Sequence, residues 1–242
     1  MKKVIQQIFK VEKPIIGMLH LRGDTPEEVL QIAREEADMM FNAGVNAVLV
    51  EDYFGSPGDV VNVLKMMQSD YADKVYGVNL LGDFVGSYRL AQQYGAAFMQ
   101  VDSICGHLTP EEEKTYFAEV DACRADGDVF VLGGVRFKYQ PVRSGRSVKD
   151  DLNIGKQHCD AIVVTGVGTG IETDLEKIKR FRGILGDFPL IVGAGMSAET
   201  AKEQLLDSDG GIVGSYFKKD GEANLCNPMI PERVQRFMQA CR

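Results

Sequence analysis

The sequence has no tryptophan, only three histidines and five cysteines, and its 27 Lys and Arg are outnumbered by 35 Asp and Glu, a formal charge of −8 over 242 residues. Each shortage excludes something. A net negative chain lacks the basic surface on which nucleic-acid binding rests, although backbone N–H groups and one or two cations can still hold a small phosphorylated ligand. The cysteines, at 105, 123, 159, 226 and 241, form no CxxC pair and are odd in number, which points to free thiols in a reducing cytoplasm. Nowhere do 18 apolar residues run together, so no membrane span is expected, and Gln6, Gln7 and Lys10 interrupt the start of the chain before a secretory apolar core develops. No GxGxxG follows the first apolar run and no GxxxxGK[ST] occurs, which weakens a dinucleotide-binding open sheet and a P-loop alike.

What is present is a regular alternation. Short Val/Ile/Leu-rich runs, typical of strands buried on both faces, occur at Ile15–Leu21, Val45–Glu51, Val75–Leu81, Phe98–Asp102, Val129–Lys138, Ala161–Thr165, Leu190–Val192 and Gly211–Gly214. Between and after them, apolar residues three and four apart predict helices over Pro26–Ala43, Pro57–Ser69, Phe84–Tyr94, Pro110–Ala125, Val148–His158, Leu175–Leu185, Ala198–Leu206 and Pro231–Cys241. Thr25-Pro26-Glu27-Glu28 and Thr109-Pro110-Glu111-Glu112 are helix starts, with a capping hydroxyl, a proline in the first turn and acids behind it. Gly44, Gly95, Gly127 and Gly186 stand where a left-handed closing residue is expected. Eight such units of about 30 residues close into an α/β fold of the (β/α)8 TIM-barrel type more naturally than they spread into an open sheet. We therefore read residues 1–242 as one barrel domain, with 1–13 as an N-terminal extension in which Val4–Phe9 forms a lid over the N-terminal mouth.

In a barrel, chemistry sits where strands end. The strand ends here are His20, Glu51 with Asp52, Asn79, Asp102 with Ser103, Arg136 with Lys138, Thr165, Gly193 and Gly214. Together they make a polar cup, although any one of them could be a solvated loop entry. Gly193 and Gly195 after strand seven, and Gly214 and Ser215 after strand eight, occupy the two loops that bind phosphate in many barrels, where plain turns are the alternative. Lys218 offers either an extra cation or a solvated surface lysine. Thr165-Gly-Val-Gly-Thr-Gly170 reads as a second donor-rich loop whose Gly168 could wrap a ligand, or as a flexible connection. Arg143 and Arg146 could reach a second anionic group or simply lie on the surface.

For catalysis the candidates are His20, Glu51, Asp102 and Lys138. Glu51 and Asp102 can act as base and acid across the mouth, or hold a divalent cation such as Mg2+. Arg136 and Lys138 share parity, which turns both toward one side. Lys138 can stabilise an enolate or form a Schiff base. His107 and His158 look structural, and a three-histidine zinc site is not expected.

Pro14-Ile-Ile-Gly-Met-Leu-His-Leu21, Ala47-Val-Leu-Val-Glu-Asp52, Gly77-Val-Asn79 and Asp160-Ala-Ile-Val-Val-Thr-Gly166, taken with the two terminal glycine loops, resemble the BtpA/SgcQ family over nearly the whole chain. The resemblance implies a barrel akin to those that bind ribulose phosphates. It further implies one of three roles: an enzyme beside sugar-phosphate metabolism, a factor in photosystem I accumulation, or a nucleoside triphosphatase. It carries no catalytic residue set. The short loop after His20 and Tyr139 in place of the commoner histidine depart from the family pattern. The reading that follows is an enzyme on a phosphorylated small molecule, a sugar phosphate, with isomerase, epimerase or aldolase-type chemistry. Its alternative is a non-catalytic binding or assembly factor. Homo-oligomers are common among barrels of this size, but no face of this sequence is apolar enough to name.

Overall fold

The structure, a computed structural model, describes residues 5–220 and 226–241. Eight parallel strands close in sequential order, β1 pairing with β8 as well as with β2. The strands are β1 (Ile15–His20), β2 (Ala47–Glu51), β3 (Val75–Asn79), β4 (Phe98–Cys105), β5 (Phe130–Val135), β6 (Ala161–Val164), β7 (Leu190–Val192) and β8 (Gly211–Val213). The helices are α1 (Ile5–Phe9), α2 (Pro26–Asn42), α3 (Pro57–Asp70), α4 (Phe84–Tyr94), α5 (Pro110–Ala125), α6 (Val148–His158), α7 (Leu175–Leu185), α8 (Ala201–Gln204) and α9 (Pro231–Ala240), with a 3-10 turn at Ser215–Phe217. No described helix is long and apolar enough to cross a membrane.

Local chemistry explains most boundaries. Thr25 caps α2, and Thr109 with Glu112 forms a reciprocal capping box on α5, as does Ser56 with Asp59 on α3. The predicted helix Ala198–Leu206 shrinks to four residues because Ser197 and Thr200 bond each other's backbone: Ser197 N–H donates to Thr200 Oγ1 at 3.1 Å and Thr200 N–H to Ser197 Oγ at 3.3 Å. Gly95 closes α4 in the left-handed region (φ 69°) as expected. Gly127 does not take that conformation, and α5 ends instead on Asp126. A side chain at 127 would strike the Gln92 amide, 2.2 Å from the Cβ position.

Two apolar layers hold the fold. One fills the space between strands and helices. The other fills the barrel, with Ile16, Leu49, Phe98, Phe130, Val163 and Ile191 among its members. Phe98 and Phe130 open β4 and β5, so they mark the N-terminal end, and Phe9 of α1 packs on both rings at centroid distances of 5.1 and 6.1 Å. Helix α1 thus seats Ile5 and Phe9 in the barrel's lower end; Val4 lies outside the described residues. With that end filled by side chains, ligand access belongs to the C-terminal mouth.

Candidate active site

The alternation of side chains along each strand builds the site. Ile16 and Met18 on β1 and Ala47 and Leu49 on β2 face the barrel interior, so His20 and Glu51, two residues further on, face it one layer higher. Register completes the tier, with His20 opposite Glu51 and Glu51 opposite Asn79. Above the apolar layer opens a cavity of about 450 Å3, lined by His20, Glu51, Gln100, Asp102 and Lys138 among others.

Asn79 donates its amide Nδ2 to Glu51 Oε1 at 2.8 Å and to Asp102 Oδ1 at 3.3 Å, and Gln100 Nε2 lies 3.4 Å from the same Asp102 oxygen. His20 Nε2 lies 3.5 Å from Glu51 Oε2, while its Nδ1 is buried without a partner in the described residues. Burial, reinforced by the negative charge of Asp102, raises Glu51 to about 8. Burial, reinforced by Lys218 and Lys138, lowers His20 to about 3. Asp102 is raised and Lys138 lowered, both chiefly by burial, and each is partly restored by the attraction between them. At neutral pH the cavity therefore holds a protonated Glu51 and an uncharged imidazole beside Asp102 and Lys138.

An Asp102–Glu51 cation site was one expectation. Asn79 places an N–H donor between the two carboxyl groups, where a cation would need oxygen ligands. Among the described residues no group of three or more His, Cys, Asp or Glu is arranged to hold a metal. The donor set does not fit Mg2+.

Arg136 is a correction. The strand ends at Val135, and Arg136 adopts φ +50°, which breaks the alternation that gave it the parity of Lys138. Its side chain leaves the barrel: Nε donates to Asp151 Oδ2 on α6 at 2.8 Å and Nη2 to the Arg146 carbonyl at 2.5 Å. Arg146 is held by Asp151 and Glu113, and Arg143 by Glu112, so neither serves the cavity. The flip at Arg136 drops Phe137 onto the interior layer and brings Lys138 to the cavity wall. Thr165 is buried and accepts the Lys138 N–H at 2.9 Å, anchoring that backbone. Gly168 lies behind the wall, which Thr169 and Gly170 form instead.

Gly193, Gly195, Gly214 and Ser215 all line the cavity. Gly193 supplies space and no donor, because its N–H is bonded to the Val164 carbonyl at 2.8 Å. Gly195 has φ +68°, and its Cβ position is 2.1 Å from the Ile171 carbonyl oxygen, so loop seven can pass beneath loop six only as glycine. A Cβ on Gly214 would lie 2.6 Å from the His20 ring. Lys218 is neither a surface lysine nor an anion ligand. It is fully buried, and its Nζ bonds Glu36 Oε1 at 2.5 Å, which also accepts from Arg22 at 3.0 Å. His107 and His158 pack on Tyr116 and Phe117, away from the mouth. Gln100 was missed, although its position two residues before Asp102 on one strand places both on the same face.

With that geometry in view, the BtpA family model matches residues 11–242. The chain belongs to the BtpA family. An uncharacterized BtpA-family relative from Methanocaldococcus jannaschii is 29% identical over 255 residues, covering 96% of this chain and 95% of the relative. The photosystem I biogenesis protein BtpA of Synechocystis sp. is 24% identical over 261 residues, covering 97% of this chain and 90% of that protein. Among solved structures, phosphoribosyl anthranilate isomerase from Thermus thermophilus aligns with a TM-score of 0.62 at 13% identity, covering 94% of this chain and 97% of that one, a likeness of fold alone. The structural match agrees with the (β/α)8 barrel of this chain and says nothing of its chemistry.

Proposed function

We propose that this BtpA-family protein is an enzyme acting on a phosphorylated small molecule of the sugar-phosphate class, moving a proton beside a carbonyl in isomerase, epimerase or aldolase-type chemistry. The observation that carries the reading is the separation of two carboxyl groups joined by one amide. Glu51 is held protonated to about pH 8, whereas Asp102 is raised by burial but steadied as a carboxylate by Asn79, Lys138 and Gln100. Buried carboxyl groups with raised titrations, joined by one amide and set beside a lysine, are the kind of arrangement that general acid–base catalysis uses. Asp102 takes the proton from carbon, Glu51 donates one to the developing oxyanion, and Lys138 supplies positive charge beside it. His20, uncharged, lies beside the donor with Nε2 3.5 Å from Glu51 Oε2.

The anion would rest where loops seven and eight meet, at Gly195, Gly214 and Ser215. Support comes from their place on the cavity wall, and from the names of barrels of similar fold that handle phosphorylated compounds, such as phosphoribosyl anthranilate isomerase and thiamine phosphate pyrophosphorylase. Binding energy from a remote phosphate orients the reacting carbons over the acid–base pair. A thermal-shift screen of pentose and hexose phosphates at pH 7 tests the binding half. The melting temperature should rise with at least one phosphorylated sugar and not with its unphosphorylated form. Equal responses to both forms would remove the phosphate from the proposal.

A further inference from the structure

The cavity has one wall that acid–base chemistry on a bare sugar phosphate does not need. Leu206 aside, every exposed large apolar side chain among the described residues sits on a loop following the C-terminal end of β2, β3, β5 or β6. Three of them line the same cavity as Glu51 and Lys138: Tyr139, 70% exposed on the loop after β5, and Tyr53 and Leu81, which are 37% and 40% exposed and share one side of the mouth. Their loops are tied together by the Leu81 N–H, which donates to Asp52 Oδ1 at 2.9 Å. The Tyr53 ring is set edge-on against His20 at 5.4 Å and against Phe54 at 4.8 Å, so it is buttressed from two sides. A buttressed aromatic ring and a leucine left half-covered at the rim of a polar cavity mark a place for apolar surface of a ligand.

We infer that the substrate carries a planar aromatic group, and that Tyr53 and Leu81 form its subsite. The inference takes its orientation from the anion reading of loops seven and eight. In the closed strand order β8 and β2 flank β1, so His20 lies between the Ser215 loop and the Tyr53 loop, and Glu51 ends the strand that the Tyr53 loop follows. A molecule anchored by its phosphate near Gly195 and Ser215 passes His20 and Glu51 before it meets Tyr53. The three-part site fits a sugar phosphate whose far end bears an aryl or heteroaryl substituent. Face or edge contact with Tyr53 tolerates any planar ring, because every such ring presents a π-face.

Titration calorimetry at pH 7 with ribose 5-phosphate, adenosine and adenosine 5′-monophosphate reads the subsite directly, in the intact chain and in Tyr53→Ala and Tyr53→Phe. The nucleotide should bind at least tenfold more tightly than ribose 5-phosphate. Tyr53→Ala should abolish that advantage while leaving ribose 5-phosphate within twofold, and Tyr53→Phe should keep it. Equal affinity for nucleotide and ribose 5-phosphate, an equal loss of both in Tyr53→Ala, or no binding of any of the three overturns the subsite. Adenosine binding that depends on Tyr53, with no gain from its phosphate, would uphold the aromatic subsite and sink the anion reading on its own.

Discussion

Asn79 donates one amide nitrogen to both Glu51 Oε1 and Asp102 Oδ1, at 2.8 and 3.3 Å, and so ties the two carboxyl groups of the barrel mouth together. Both bonds favour the charged carboxylates. Replacing Asn79 with Ala should therefore move both titrations upward, shifting the acid limb and the alkaline limb of any pH–rate profile in the same direction. Carbon-13 NMR titration of the two carboxyl carbons checks it. Shifts in opposite directions, or none, would show that the amide does not couple the pair.

Glu51 also makes stability depend on pH. Its folded-state value of about 8 lies above the ordinary 4.5, so the folded chain keeps a proton that the unfolded chain has released. Stability from this group is thus intact below pH 4.5, falls as pH rises toward 8, and is level beyond it. Glu51→Gln removes the dependence. The variant should be more stable than the parent by on the order of several kcal/mol at pH 9, with the gap shrinking toward pH 5. In the same variant, turnover should fall by about 10²- to 10⁴-fold, since the proton donor is gone. Denaturant unfolding at pH 5, 7 and 9 and a single rate measurement separate these two effects.

His20 acts in the opposite pH range. Its folded value of about 3 lies below the ordinary 6.5, so the unfolded chain binds the extra proton. Its contribution to stability is full above pH 6.5 and is lost as pH falls toward 3. His20→Asn should flatten the decline of the melting temperature between pH 6.5 and 4. An unchanged slope would mean that the imidazole is not buried neutral.

Asp151 is fully buried and receives Arg136 Nε at 2.8 Å, Arg146 Nε at 3.0 Å and Ser144 Oγ at 3.1 Å. Asp151→Ala strips the partner from two guanidinium groups and should cost about 3–5 kcal/mol, the usual result of breaking a buried ion pair from one side. Because Arg136 holds the left-handed turn that aims Lys138 at the cavity, Lys138 should also lose its depressed titration in this variant. Amine-labelling rate against pH reports that loss.

Gly195→Ala should destabilise the chain by about 1–3 kcal/mol, because the new methyl meets the Ile171 carbonyl in a positive-φ backbone. Serine at 195 should do no better, which distinguishes a packing demand from a missing donor. Urea midpoints of the two variants settle the comparison.

The barrel was legible because eight strand–helix repeats each carry their own signals: apolar runs, capping threonines and first-turn prolines. The tier of His20, Glu51, Asn79 and Asp102 was legible for a related reason, since strand parity and strand ends are local properties. The departure of Arg136 from the mouth was not, because one residue at φ +50° reverses the alternation and no composition rule marks it. Lys218 was misread for a different cause. Its partner Glu36, which also accepts from Arg22, lies nearly the whole chain away, and only the closed barrel brings them together. Arg143 and Arg146 were drawn off by acids on α5 and α6 in the same way.

Proton transfer at carbon leaves a direct trace in hydrogen exchange with solvent. The protein is incubated in D2O with a panel of aldose and ketose phosphates, and the carbon-bound protons next to each carbonyl are followed by NMR. Deuterium should enter at one such carbon in at least one phosphorylated sugar, an exchange abolished in Asp102→Asn and reduced by about 10²-fold or more in Glu51→Gln. Sugar phosphates that bind, yet show no exchange at any carbon across the panel, would contradict it.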